Sequence, residues 1–506
     1  MYQVHKVDEV SLRVTSPDDS GSIRELGEHF TFFAEGYKFM PAYRNKVWDG
    51  KIRLFNMRDQ TLPHGLLEQF LRFAEERNYK CELPDDLTKA TWTNKEELTR
   101  WINGKDHLDL NLAIGGEPAE ARDYQVDAIT HAIKNQRAVL VSPTGSGKSL
   151  IIYALSQWFL NQTGSKFLVI VPTTSLVEQM YKDFLDYGGY TPHGTIGYRV
   201  TEEDIHRIYS GKEKFNIDAR IIITTWQSIY KLPPSWFEDI GMVVGDEAHQ
   251  FKAKSLTTIM SKLKNAWMRI GTTGTLDGSQ VHELVLEGCF GPVYKVTTTK
   301  ALIDSDTLAQ IKIESLVLKY SEEVRKTFGR KKYQEEIDFI VSHESRNKFI
   351  TNLALDQKGN TLVLYNLVEK HGKPLYKYIS KKGTKRKVFY VSGAVNADER
   401  EKIREITEKE KNAIIVASVG TFSTGINIRN LHNIIFASPT KSHIRVLQSI
   451  GRGLRKSDNG QITVVYDLAD DLSWKTRKNY TLNHAIERVK LYAREKFNFK
   501  THEVPL

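Results

Sequence analysis

Eight residues constrain this chain more than any others: Ser142-Pro143-Thr144-Gly145-Ser146-Gly147-Lys148-Ser149 lies between the β-branched run Ala138-Val139-Leu140-Val141 and the helical pattern Leu150-Ile151-Ile152-Tyr153-Ala154-Leu155. A strand that passes through a glycine-rich turn into a helix N-terminus gathers backbone N–H groups around one point, which is how a protein holds phosphate. Such a turn belongs at the carboxyl end of a strand in an open α/β sheet. The backbone of Thr144, Gly145, Ser146 and Gly147 would line the phosphates. Lys148 would add an ammonium and Ser149 a hydroxyl for a magnesium ion. Ser142 stands where the pattern usually begins with glycine.

The remaining sequence supplies that sheet twice. Phe167 to Val171, Arg220-Ile221-Ile222-Ile223 and Met242-Val243-Val244 each precede a polar turn and a helical stretch. The pattern returns in Thr361 to Tyr365, Lys387 to Tyr390, Ala413 to Val416 and Asn433 to Phe436. Apolar runs alternating with helical patterns predict parallel, doubly wound sheets, and 506 residues exceed what one core usually serves. Two tandem α/β domains are expected, over 96–303 and 304–471. Residues 1–95, rich in aromatics and containing the helical Leu66 to Phe73, predict a small α+β module. Residues 472–506 predict a helical tail, with Leu482, Ile486, Val489 and Ala493 packed inward and Arg488, Lys490, Arg494 and Lys496 facing solvent.

About a hundred residues beyond the phosphate loop, Asp246-Glu247-Ala248-His249 follows an apolar strand, at the end where ligands bind in open sheets. Asp246 would hold magnesium, and Glu247 would orient and deprotonate the attacking water. Further on, Gln448-Ser449-Ile450-Gly451-Arg452-Gly453-Leu454-Arg455 sets Arg452 and Arg455 on one face of a helix, from which they would stabilise the γ-phosphoryl group with Gln448 beside them. The combination predicts an ATP-driven motor.

The set resembles the superfamily-two helicases over residues 120 to 470, and the resemblance implies RecA-like domains. By that resemblance, Arg122 and Gln125 read the adenine, and His249, Thr273 and Thr275 couple hydrolysis to nucleic-acid binding. Pro172, Thr173, Thr174, Gln179, Thr225, Gln227, Ser392, Gly393 and Thr424 stand where the family grips a strand backbone. Asn427 occupies a position where many relatives have aspartate. Over its full length the chain is similar to UvsW-type recombination helicases of T-even-like bacteriophages, including Phe33 to Phe39, Trp48 to Leu54 and Arg494 to Asn498. This implies a monomeric, ATP- and Mg2+-dependent DNA helicase that moves three-prime to five-prime in the host cytoplasm. Its implied substrates are single-stranded, forked and branched DNA: stalled forks, Holliday junctions, and R-loops with their RNA–DNA hybrids. Other recombination and replication proteins are the implied company.

Composition agrees with a polyanionic partner. Lys and Arg number 72 against 62 Asp and Glu, a net charge of +10. From Tyr37 to Arg58, Lys38, Arg44, Lys51 and Arg53 interleave with Tyr37, Phe39, Tyr43 and Trp48, a pattern suited to following phosphates and stacking on bases, or to building the module's own core. Cys81 and Cys289 are the two cysteines, far apart in sequence and without a His cluster, so neither a disulfide framework nor a zinc site is indicated, and no apolar run is long enough to span a bilayer. Two other readings stay open: a translocase that moves on duplex DNA without separating strands, and a nucleic-acid binding or annealing protein with residual ATPase activity.

Overall fold

The computed structural model describes residues 1–506 except 18, 35, 89–92, 107, 190–199, 216, 251–252, 277–279, 309, 329–330, 383–384, 394–402, 404–405, 407–408, 426–430 and 440–461. Gln448, Arg452, Arg455 and Asn427 therefore lie outside the described residues. The chain divides into two compact units, Met1–Ser142 with Gly147–Val296, and Thr297–Leu506, to which Pro143–Ser146 are assigned. Among the described residues no helix is long and apolar enough to cross a membrane.

The first unit opens with a small module. Strands β1 (Tyr2–Lys6), β2 (Ser11–Thr15), β5 (Thr61–Pro63) and β6 (Cys81–Glu82) form a sheet in the order β5-β2-β1-β6, while β3 (Thr31–Phe33) and β4 (Lys51–Arg53) form a separate hairpin. Helices α1 (Ser20–His29) and α2 (Leu67–Glu76) cover the sheet around Tyr2, Leu12, Phe30, Phe55 and Phe70. The larger sheet that follows contains β7 (Arg137–Val141), β8 (Lys166–Val171), β9 (Ile205–Ile208), β10 (Ile221–Thr225), β11 (Ile240–Gly245), β12 (Met268–Thr273) and β13 (Val293–Lys295). Its order is β9-β10-β8-β11-β12-β7-β13, and every pairing is parallel. Strands β8, β10 and β11 are apolar runs because helices cover both faces. Helices α3 (Asp123–Asn135), α4 (Lys148–Gln162) and α5 (Thr174–Tyr187) follow in chain order, and α6 (Gln280–Phe290) links β12 to β13.

The module is docked on α6. Leu284 of α6 belongs to the module's core, Gln69 donates to Glu287 at 2.9 Å, and a Cβ on Gly65 would sit 2.0 Å from the Glu287 carbonyl oxygen. Phe290, one turn on, lies against the backbone of Gly245 and Gly271. A second tie runs from Arg137 of β7 to Glu9, whose carboxylate and carbonyl it contacts at 2.8 Å. His64 is largely covered beside this pair, 3.9 Å from Glu9. Burial, then the positive charge of Arg137, hold its imidazole far below the usual range, at about 2; Glu9 is already neutralised by Arg137 and Lys6. A histidine whose folded pKa is depressed binds its proton on unfolding, so stability is level above pH ~6.5 and falls as the pH drops below it. We expect unfolding free energy to decline from about pH 6.5 to pH 5 by up to about 1.4 kcal/mol per pH unit from this group, with a falling melting temperature as its sign. In thermal melts His64→Gln should flatten that part of the profile.

The second unit repeats the first unit's large sheet. Strands β14 (Ile311–Lys319), β15 (Thr361–Tyr365), β16 (Val388–Val391), β17 (Ile414–Ser418), β18 (Asn433–Phe436), β19 (Thr463–Asp471) and β20 (Asn498–Pro505) stand in the order β16-β17-β15-β18-β19-β14-β20, all parallel. Numbered from each unit's first large-sheet strand, both sheets read 3-4-2-5-6-1-7, which makes them two copies of one RecA-like topology.

The C-terminal segment corrects two expectations. It is helical only over α7 (Tyr480–Arg494); Asn498–Pro505 then pairs with β14 as the sheet's seventh strand. The inward face of α7 is also not the expected one. Thr481, Ala485, Arg488, Leu491 and Tyr492 are buried, Ala493 is exposed, and Leu482, Ile486 and Val489 are half-buried. Arg488 turns in because Asp467 on β19 is fully buried and needs a cation: the guanidinium meets its carboxylate at 2.7 Å, and Tyr492 donates to it at 3.0 Å.

Candidate functional site

The phosphate loop has the backbone its glycines predict. Gly145 and Gly147 adopt φ of +86° and +80°, which a side chain would resist. The Ser146 hydroxyl donates to the Pro143 carbonyl at 2.6 Å, and the Ser142 N–H donates to the Thr273 carbonyl at 2.8 Å. Thr144 is half-buried on the loop. Gln125 lies so close that a Cβ on Gly147 would be 2.3 Å from its Nε2. Its Oε1 accepts from the Arg122 N–H at 2.8 Å, capping α3, while the Arg122 guanidinium reaches Tyr124 at 3.1 Å. Lys148 Nζ stands 3.4 Å from the Ser142 carbonyl and 3.3 Å from Glu247 Oε1. Ser149 Oγ is 2.8 Å from the hydroxyl of Tyr187, the last residue of α5.

Asp246 and Glu247 follow β11. The Asp246 N–H donates to the Ile170 carbonyl at 2.9 Å, and Thr272 donates to Asp246 Oδ1 at 2.7 Å. Burial, reinforced by the neighbouring Glu247 charge, pushes the Asp246 carboxyl up to about 6 despite Lys148 nearby. A buried carboxylate so penalised gains from a cation, and the oxygens of Ser149 and Asp246 are the hard donors magnesium accepts. No group of three or more His, Cys, Asp or Glu that could hold a metal occurs among the described residues.

Glu247 has φ of +48°, an uncommon left-handed conformation for its type. It aims one oxygen at Lys148 and the other toward His249 Nδ1, 3.4 Å away. His249 Nδ1 is also 2.6 Å from Thr273 Oγ1, which donates to the Thr275 carbonyl at 2.8 Å. With that proton committed, the imidazole donates from Nδ1 to Thr273. The structure thus joins Lys148, Glu247, His249, Thr273 and Thr275 in one chain of contacts. Thr272 and Tyr187 belong to the same surroundings but were not expected there. Thr272 adjoins the Thr273-Gly274-Thr275 motif and could have been suspected, whereas Tyr187 carries no local signal.

The residues expected to meet a strand backbone fall into three groups. Val171 and Thr225 are in register on adjacent strands, so Pro172, Thr173, Thr174, Thr225 and Gln227 collect at the same sheet end. Gln227 donates to the Pro172 carbonyl at 3.4 Å, Thr173 caps α5, and Thr174 and Gln179 are exposed on that helix. In the second unit, Ser392 and Gly393 follow β16, and Gly393 faces Thr421 on the helix Val419–Gly425, which also carries Thr424. The third group is the β3–β4 hairpin with the loop it closes. Phe33 stacks on Tyr37 at 4.6 Å, Lys51 covers Phe33, Lys38 covers Tyr37, and Trp48 donates to the Lys51 carbonyl at 2.9 Å. Arg53 pairs with Asp49, and Arg44 is exposed. Of the aromatics here, Phe55 enters the module's core, while Phe33 and Phe39 are 50% and 76% exposed. The solvent-facing rings do not form the core.

Known proteins share these features. Family profiles described as type III restriction enzyme, res subunit; DNA helicase UvsW, N-terminal; and helicase conserved C-terminal domain match residues 119–278, 6–84 and 345–457 respectively. The ATP-dependent DNA helicase uvsW of Enterobacteria phage T4 is 36% identical over 96% of this chain and 97% of its own. The probable helicase D10 of Escherichia phage T5 is 26% identical over 64% of this chain and 66% of its own. Among solved structures, the crystal structure of T4 UvsW aligns with 33% identity and a TM-score of 0.53, covering 100% of this chain and 99% of that one.

Proposed function

The chain belongs to the UvsW family of ATP-dependent DNA helicases, and on that premise we propose that it remodels branched DNA: stalled forks, Holliday junctions and R-loops, moving three-prime to five-prime. The observation that carries the reading is the contact chain Lys148–Glu247–His249–Thr273, which ties the phosphate loop to the carboxyl end of β12. Ser149 and Asp246 would hold the magnesium ion, which supplies charge neutralisation on the β- and γ-phosphates. Lys148 gives up Glu247 to meet the phosphates, and Glu247 takes the proton of the attacking water. Gln125 and Arg122 would contact the adenine, and Arg452 and Arg455, with Gln448, would supply the charge that makes hydrolysis depend on the second domain. His249, Thr273 and Thr275 would relay the nucleotide state. Pro172, Thr173, Thr174, Gln179, Thr225, Gln227, Ser392, Gly393 and Thr424 would hold phosphates without reading bases. Lys38, Arg44, Trp48, Lys51 and Arg53 would meet the junction. We place this activity in the host cytoplasm, carried out by a monomeric motor.

The test is ATP hydrolysis at one salt concentration with no nucleic acid, single-stranded DNA, forked DNA and RNA of matched sequence. Stimulation greatest with the fork supports the reading, and stimulation by RNA alone overturns it. The match to a restriction-enzyme motor subunit over 119–278 favours a second reading, translocation on duplex DNA without strand separation. Displacement of a third strand without unwinding of a fork would select it.

A further inference from the structure

The hydroxyl of Tyr187 meets Ser149, the phosphate-loop residue read above as a metal ligand, and none of the motifs assigns it a role. It lies 2.8 Å from Ser149 Oγ. Its position is fixed from several sides. The Tyr187 ring packs on Tyr153, 5.6 Å between centroids, and Tyr153 is one helical turn after Ser149 on α4, so both residues face α5 together. Phe184, a turn earlier on α5, meets the same Tyr153 ring edge-on at 5.3 Å. Next to Tyr187, the Asp186 carboxylate accepts from the Gly115 N–H at 2.8 and 3.0 Å, and the Gly188 backbone is pressed against Tyr153, where a Cβ would lie 2.9 Å from its hydroxyl. A phenol held this firmly is an oriented partner.

We propose that Tyr187 is a positioning residue for the metal site: it accepts the Ser149 proton and so turns the serine lone pairs toward the magnesium of the bound nucleotide. A serine hydroxyl has one proton and two lone pairs, and it ligates a cation only when its proton points elsewhere. Without an acceptor, the hydroxyl rotates among its staggered positions and presents a lone pair only part of the time. The inference rests on the reading of Ser149 as a magnesium ligand and goes beyond it by naming what aims that ligand. It also places the aiming group on α5, the helix that Thr173 caps and Thr174 begins.

The experiment titrates magnesium against a fluorescent ATP analogue bound to the full chain, comparing wild type with Tyr187→Phe, and reads binding without hydrolysis. Phenylalanine keeps the ring on Tyr153 and removes only the hydroxyl. We expect the magnesium concentration for half-maximal binding to rise about three- to ten-fold, while the analogue's affinity in EDTA and the unfolding midpoint stay at wild-type values. An unchanged magnesium requirement overturns the proposal and leaves the ATP-site reading intact. So does a loss of unfolding midpoint that accounts for the weaker binding, since that assigns the hydroxyl a packing role. If the wild type binds the analogue with no magnesium dependence, the magnesium-ligand reading of Ser149 fails and the proposal falls with it.

Discussion

Glu247→Gln is expected to lower ATP hydrolysis by about 10²–10⁴-fold while leaving ATP binding intact or tighter. The two effects have separate causes. The carboxylate stands beside the phosphate loop with one oxygen toward Lys148 and the other toward His249, where it is placed to take a proton from water while Asp246 serves the cation. It also holds Lys148 at 3.3 Å, away from incoming phosphates. The amide removes both the base and that competing charge at nearly constant shape. Steady-state hydrolysis together with equilibrium binding of a nucleotide analogue separates them. A variant that loses binding and hydrolysis in step would show that Glu247 organises the loop and does not act on water.

Arg488→Ala should have the largest effect on stability. Arg488 and Asp467 are 2% and 0% exposed at the side chain, so truncation leaves an uncompensated carboxylate inside the second unit. Breaking such a pair costs about 3–5 kcal/mol, enough to unfold many domains of this size. Lys490→Ala, two residues on and exposed, should stay within about 0.5 kcal/mol. Replacing both partners, Asp467→Leu with Arg488→Met, should lose less than either single change, because no charge is then stranded. Denaturant midpoints of the wild type and these variants decide this, and equal midpoints for Arg488→Ala and Lys490→Ala would contradict the buried-pair account.

The same residues explain what could and could not be read before the fold was known. Thr361–Tyr365 and Asn433–Phe436 were legible to the residue, because strands covered on both faces are plain apolar runs. The phosphate loop and Asp246-Glu247 were legible because few chemistries need that order of residue types. Strand β19 was hidden by Asp467, Asp470 and Asp471, which look like a solvated loop until Arg488, Arg346 and Lys319 are brought to them from elsewhere in the chain. The register of α7 failed for the same reason: periodicity counts an arginine as outward, while a buried carboxylate draws it in. Strand β20, NFKTHEVP, is mostly exposed along one edge of the sheet and carries almost no apolar signal. At the candidate site, Tyr187 escaped notice because its partner Ser149 is distant in sequence, and long-range side-chain pairs leave no local pattern.

The seat of the N-terminal module has a mechanical consequence. The backbone of Gly65 rests on the carbonyls at the end of α6, and from that same turn Phe290 bears on Gly245 and Gly271, the residues that lead into Asp246 and Thr272. One turn of helix separates the module from the strands of the ATP site. The seat therefore works as a fulcrum: any displacement of the module at Gly65 is handed through Phe290 to the strand ends that present Asp246 and Thr272.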